Sequence, residues 1–219
     1  ACHLMLEGSF MNGRLHGDNL AYFADGTVQH KYQYNEGAKT GTSLEYHPNG
    51  KIKTREQVAL NGVDTKEEAY SDAGIQLYEK NFRKLKPHGT WVYFFEDARL
   101  PAGQGKTAKL KENYENGKLQ GIRTTFYPSG SKSLEEPYQI NLITGPVKNY
   151  SDDGKLASVC EYKSSRQHGL YTSYYPNGQI KEQGEYVANR KHKEWKEFDE
   201  KGNVIKTYLF KAGILVAPK

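Results

Sequence analysis

The chain has little of what a conventional globular core is made from. Only 36% of its 219 residues are hydrophobic, with two methionines and two tryptophans, and mean hydropathy is −0.85. A core of Leu, Ile and Val is therefore undersupplied. No run approaches the roughly 18 apolar residues of a membrane-spanning helix, so the chain reads as soluble. Two cysteines, Cys2 and Cys160, do not make a disulfide framework. Cys160 stands at a core-type position and reads as a buried free thiol. Charge is plentiful but unsorted: 31 basic and 26 acidic residues give a net +5, without long blocks of one sign. That is a mixed solvated surface. It argues against nucleic acid as a partner, since such binders concentrate basic residues in a patch or stripe.

What the chain does have is tyrosine, 17 residues of it, so apolar burial must come largely from aromatic rings. The stretch "YYPNGQIKEQGEY", Tyr174 to Tyr186, shows how they are used. An aromatic, a Pro-Asn-Gly turn, an aliphatic residue and a second aromatic describe one β-hairpin. The pattern recurs along the chain. A glycine opens each unit at Gly17, Gly41, Gly89, Gly121, Gly145 and Gly169, with gaps of 24, 48, 32, 24 and 24 residues. The gap of 48 is two units with Thr65 in the glycine slot; the gap of 32 is one unit with eight extra residues; Lys193 continues the series. A turn glycine follows nine residues on at Gly26, Gly50, Gly74, Gly130, Gly154, Gly178 and Gly202. The first aromatic of each unit is Tyr22, Tyr46, Tyr70, Phe94, Phe126, Tyr150, Tyr174 or Phe198. The second position holds Tyr34, Val58, Phe82, Tyr114, Tyr138, Tyr162, Tyr186 or Phe210.

Pro presets φ in the tip turn, Asn, Asp or Ser favours the next position, and Gly takes a left-handed conformation. This predicts a type I turn followed by a glycine bulge, a common three-residue hairpin loop. The first aromatic then lies opposite Val28, Ile52, Leu156, Ile180 or Val204, an aromatic–aliphatic pair that repeats on one face. A second turn, as in "YENGKLQG", joins each hairpin to the next. A two-residue or a three-residue loop there puts the second aromatic on opposite faces, and a bulge at the opening glycine reconciles either choice.

The expected fold is all-β: an elongated, twisted and curved single-layer antiparallel meander of about eight 24-residue hairpin repeats. It forms one repeat domain over residues 1–219, with a half unit at 1–16 and units starting near 17, 41, 65, 89, 121, 145, 169 and 193. Two strands advance about 10 Å, so eight units span roughly 80 Å. The charged "KEWKEFDEKG" of the last unit reads as a polar cap on an exposed sheet edge.

At these residues the chain resembles the MORN-repeat proteins, and within them the bacterial MORN-variant group labelled YwqK-like antitoxins. The resemblance runs from about Gly8 to Gly213. It rests on the "YYPNGQIKEQGEY" type of unit, the connector from Tyr114 to Gly121 and the 24-residue period. It implies an elongated, curved, single-sheet protein that binds other proteins. Some eukaryotic relatives are associated with membranes, and the bacterial label implies neutralisation of a secreted toxin. No catalytic residue is defined for the repeat. The chain departs from the pattern at Thr65, at Lys193 and in the fourth unit.

Candidate chemistry is weak elsewhere. His16, His88, His168 and His192 each precede the opening slot, but equivalents lie about 10 Å apart, too far for a shared metal. The doublets Glu67-Glu68 and Glu135-Glu136 sit on strands and split across the sheet, while Asp152-Asp153 forms a turn. Ser164-Ser165 and His168 lie on a connector without a third partner. No catalytic residue, metal or cofactor is assigned, and the chain reads as a non-enzyme.

The fourth unit breaks the pattern. "TWVYFFEDARLPAGQGKTAKLKENY" adds eight residues at the hairpin tip, about 96–105, above a strand crowded with Trp91, Tyr93, Phe94 and Phe95. The candidate partner-binding residues are Trp91, Tyr93, Phe95, Arg99, Leu100 and Pro101. The expected function is an immunity or antitoxin-type scaffold that captures a cognate effector. The alternative is an envelope-tethered structural scaffold. Ala1-Cys2 is compatible with a bacterial lipoprotein cleavage point whose cysteine is acylated. Cys2 would then be the lipidation site, the only route to a membrane, and place the chain in the periplasm or cell envelope; otherwise it reads as cytoplasmic. It is expected as a monomer or an end-to-end dimer.

Overall fold

The computed structural model describes residues 5–96 and 106–218. These residues are all-β, without a helix, and their 22 strands form a single open antiparallel sheet in meander order. The chain divides into two compact halves, residues 1–108 with 114–117, and residues 109–113 with 118–219. The first half holds β1 (Leu6–Met11), β2 (Arg14–Tyr22), β3 (Val28–Asn35), β4 (Ala38–Lys39), β5 (Thr42–Tyr46), β6 (Ile52–Val58), β7 (Asp64–Tyr70), β8 (Gln76–Arg83), β9 (Lys86–Pro87) and β10 (Gly89–Phe94). Next comes β11 (Ala108–Glu115), whose residues are divided between the halves. The second half continues with β12 (Lys118–Leu119), β13 (Gly121–Phe126), β14 (Lys132–Gln139), β15 (Leu142–Ile143), β16 (Gly145–Tyr150), β17 (Leu156–Lys163), β18 (Arg166–Tyr174), β19 (Ile180–Val187), β20 (Arg190–Phe198), β21 (Val204–Lys211) and β22 (Ile214–Pro218).

The tips form as their sequences predict. In the first, the Phe23 N–H donates to the Thr27 carbonyl at 2.8 Å and the Gly26 N–H to the Phe23 carbonyl at 2.9 Å, with Gly26 at φ 87°. That is a type I turn closed by a left-handed glycine. The predicted cross-strand pairs are all present: Tyr22 with Val28, Tyr46 with Ile52, Tyr150 with Leu156, Tyr174 with Ile180 and Phe198 with Val204.

The connectors settle the choice that the sequence leaves open. Most are two-residue turns with both residues left-handed, such as Asn116 and Gly117 at φ 51° and 84°, or Ala188 and Asn189 at 49° and 68°. Each is followed by a bulge at the opening slot. Between Cys160–Tyr171 and Tyr162–Gln167, Glu161 alone faces His168, Gly169 and Leu170, and Gly169 lies at φ 119°. The third repeat solves the same problem differently. Its connector is a longer loop, residues 60–63, closed by the Ala59 N–H on the Asp64 carbonyl at 2.8 Å. Its strands then run in unbroken register from Val58–Thr65 to Thr54–Ala69. Two residues have moved from the bulge into the loop. Thr65 consequently needs no left-handed backbone, which accounts for the missing glycine. Lys193 keeps the bulge and pays in strain, standing at φ 56°.

Side chains tie each repeat to the next. The second residue of the tip doublet reaches the following tip: Tyr127 Oη donates to the Tyr150 carbonyl and Tyr175 Oη to the Phe198 carbonyl, both at 2.8 Å. His47 Nε2 lies 2.9 Å from the Tyr70 carbonyl in the same way. At the connectors, the Leu119, Ile143 and Gln167 N–H groups donate to Asn141 Oδ1, Ser165 Oγ and Asn189 Oδ1 at 2.7, 3.0 and 2.8 Å.

The second aromatics and both tryptophans share one face, and the first aromatics occupy the other, three residues along the strand from the tryptophan slot. In the second half, Trp195 is fully buried at 0% exposure beneath Tyr171, Tyr186 and Phe210. Gly184 lies under its ring, where a Cβ would come within 2.1 Å of it. Cys160 is 5% exposed and free, and burial pushes its thiol up to about 11. The expected polar cap is corrected. "KEWKEFDEKG" belongs to β20 and its tip; β20 pairs with β19 and β21, and its Trp195 is the most buried large side chain. The charged residues alternate with the buried ring, so the segment is central although its composition is that of an edge.

Candidate functional site

The rings singled out in the fourth repeat are brought together in the first half. Trp91 and Tyr93 alternate with Val92 along β10 and project to the tryptophan-bearing face. The Trp91 ring lies 5.1 Å from Phe82 and 4.7 Å from Tyr114, and its Nε1 donates to the Asn81 carbonyl at 2.7 Å. Tyr93 lies 6.1 Å from Tyr78. Both candidate rings are half-buried. Phe95 follows the end of β10, and its N–H donates to the Thr107 carbonyl at 3.0 Å. Phe94 belongs to the opposite face, with Lys106 Nζ 5.8 Å from its ring. Arg99, Leu100, Pro101 and Cys2 lie outside the described residues.

A residue absent from the sequence-based set completes the cluster. Lys80 Nζ lies 3.9 Å from the Tyr78 ring centroid, 4.9 Å from Trp91 and 5.2 Å from Tyr93. This is a three-sided cation–π arrangement. Glu67 stands opposite Lys80 across the ladder, yet its carboxylate accepts the Tyr78 hydroxyl at 2.7 Å. The related lysines are neutralised: Lys39, 4.3 Å from the Tyr32 ring, pairs with Glu56 at 3.0 Å, and Lys191, 3.8 Å from Trp195, pairs with Glu182 at 2.7 Å. Lys80 holds an aromatic patch and a positive charge at one point. Aligning the repeats at 24 residues would have found it, because Lys80 occupies the slot that Gly184 fills beside Trp195.

In the second half the equivalent slot of one repeat holds an ionic rung. Arg123 takes the slot of Trp91 and Trp195, and its guanidinium lies 3.0 Å from Glu112 and 2.7 Å from Glu136. Glu112 is only 8% exposed. The equivalent slot thus holds a tryptophan in some repeats and an ion-paired arginine in another.

The remaining candidates are accounted for by packing. Glu67 and Glu68 split across the sheet, the second pairing with Lys66 at 3.2 Å and Arg55 at 3.3 Å. Glu135 joins Tyr150 at 2.7 Å while Glu136 joins Arg123, so that doublet splits too. Asp152 accepts from Ser129 and Ser131 at the neighbouring tip. Ser165 Oγ is engaged by the Ile143 N–H, and Ser164 and Ser165 form the turn itself. His16 Nδ1 accepts from the Glu36 N–H at 3.4 Å, whereas His88 Nδ1 is buried without a hydrogen-bond partner. His88 borders a cleft of about 340 Å³ between Thr65, Phe82 and Gly89, whose rim is the Arg83–Asp64 ion pair at 2.8 Å. Among the described residues, no group of three or more His, Cys, Asp or Glu side chains is placed to hold a metal.

No curated protein matches the chain. Four segments, residues 39–58, 143–164, 167–188 and 191–212, match the MORN repeat variant. With the hairpin period on which they are set, these matches support a MORN-repeat protein, built as a repeat scaffold.

Proposed function

We propose that this chain is a non-enzymatic protein-binding scaffold, and that it captures its partner sterically through the tryptophan-bearing face of the fourth repeat and the insertion above it. The observation that carries the reading is the contrast between its two tryptophans. Trp195 is sealed by its neighbours, whereas Trp91, in the equivalent slot, stays half-exposed beside a lysine lodged among three rings. Half-buried aromatic anchors with a cation beside them are what protein interfaces use as hot spots. The finer reading, an immunity protein whose partner is a secreted bacterial effector, draws on the resemblance to YwqK-like antitoxins.

The test is a pull-down from the native organism with three baits: the wild type, Trp91→Ala, and a chain with residues 96–105 replaced by a short Asn-Gly turn. One stoichiometric partner carrying a toxin or hydrolase domain, retained by the first bait and lost from the others, is the expected result. Equal recovery of envelope proteins or lipid by all three would sink the fourth-repeat site and favour a tethered scaffold.

A further inference from the structure

The connector ends of the last repeats gather basic residues that the sequence keeps apart. Lys163 and Arg166 face each other across the β17–β18 ladder, and Arg190 and Lys211 occupy neighbouring connectors, beside Val187 and Ile214 respectively. All four are exposed, and none forms an ion pair among the described residues. The two other cations there are already matched, Lys191 by Glu182 at 2.7 Å and Lys193 by Glu185 at 3.1 Å. Glu161, two residues before Lys163, sets one negative charge against these four positive ones. Between these connectors runs a groove of about 490 Å³, lined by Arg166, Arg190, Lys191, His192 and Lys211 together with the apolar Val187, Ala188 and Ala212.

Like charges directly opposite on a sheet destabilise it. The corresponding pair in the first half, Arg83 and Lys86, is relieved by Asp64, 2.8 Å from Arg83 Nε. Among the described residues, no carboxylate pairs with Lys163 or Arg166. The Arg190 stem passes beside Gly213 of the next connector, where an added Cβ would approach it to 3.3 Å, so the glycine leaves room for it there.

We infer that this groove is a docking site for an acidic segment of a partner protein, one with apolar residues between its carboxylates. The charge complementarity is direct, and the apolar part of the lining, Val187, Ala188 and Ala212, needs side chains that a phosphate backbone lacks. Spacing agrees as well. Successive connectors advance by about 10 Å. A helix presents a residue on one face every seven positions, about 10.5 Å apart. The inference deepens the scaffold reading by stating the chemistry of a partner, and it uses a surface separate from the fourth repeat.

The experiment measures fluorescence anisotropy of a labelled Glu/Leu heptad peptide, with glutamates seven residues apart, against the full chain. A Lys/Leu peptide, a single-stranded oligothymidylate and vesicles of phosphatidylcholine containing phosphatidylserine serve as the other arms. The expected result is salt-sensitive binding of the acidic peptide alone, weakened about tenfold or more in Arg166→Glu/Arg190→Glu/Lys211→Glu. Circular dichroism and the melting temperature of that variant should stay at the wild-type level or rise, since repulsion is relieved. The chain with residues 96–105 replaced should bind the peptide as the wild type does, so failure here is separable from failure at the fourth repeat. No binding of the acidic peptide, equal binding by the charge-reversed variant, or tighter binding of oligonucleotide or vesicles would overturn the inference.

Discussion

Trp195 loses its surface to Gly184, Tyr171, Tyr186 and Phe210, while Trp91 shares its slot with the stem of Lys80. Truncating the two rings should therefore have different consequences. Trp195→Ala removes a fully buried ring whose Nε1 also donates to the Glu185 carbonyl at 3.1 Å. It is expected to cost about 3–5 kcal/mol in a urea titration. Trp91→Ala should cost less, because that ring is not fully buried as Trp195 is, yet it should abolish retention of the partner. Comparable stability losses for the two variants, with partner retention intact for Trp91→Ala, would make Trp91 an ordinary packing residue.

At the scale of the strand and its connector, loop length and bulge form one compensating pair. A two-residue turn demands two extra residues at the opening slot and hence left-handed backbone there; the longer loop at residues 60–63 removes the demand. Substitutions at this slot should accordingly change sign with context. Lys193→Gly relieves φ 56° at the expense of an exposed pair with Glu185, and should raise the melting temperature by about 2–4 °C in high salt, where that pair is screened. Thr65→Gly enters regular extended backbone and should destabilise by about 0.5–1 kcal/mol. Scanning calorimetry of both variants checks the pair. A fall with Lys193→Gly, or a rise with Thr65→Gly, would contradict the assignment of bulge and loop.

Across the molecule, tyrosine hydroxyls recur on carboxylates, as Tyr70 on Glu68 and Tyr150 on Glu135, and this makes stability depend on pH at both extremes. Burial, aided by hydrogen bonds to Glu68 and Glu135, pushes Tyr70 and Tyr150 up to about 12 from their usual value of 10.0. Between those values the unfolded chain has released protons that the folded chain retains. Stability is therefore full below pH 10 and falls as pH rises towards 12. On the acid side, the hydrogen bond from Lys132 holds Glu135 below the usual carboxylate value, and that from Tyr32 does the same for Glu45. There the unfolded chain binds protons first, so stability is lost as pH falls below about 4.5. Urea midpoints across the pH range should trace both limbs. Tyr150→Phe should flatten the alkaline limb, and an unchanged slope in that variant would remove Tyr150 from the account.

Much of this was legible in the chain alone. The period, the tip turns and the aromatic–aliphatic pairs follow from local preferences: proline sets one dihedral angle, glycine permits another, and a strand alternates its faces. The crowded rings Trp91 and Tyr93 were visible as a break in that pattern. The slot of Lys80 was open to an alignment of the repeats, but the three rings around it were not, because they come from β8 and β10 through the cross-strand register between them. Nor was the face of the second aromatics, since connector length and bulge trade residues without altering the period. The same holds for Lys163, Arg166, Arg190 and Lys211. Spread along the chain they look like an evenly mixed surface, and only the stacking of one connector on the next sets them side by side. Local chemistry determined the repeat; long-range register decided which residues became neighbours, because contact between repeats depends on every turn and bulge that lies between them.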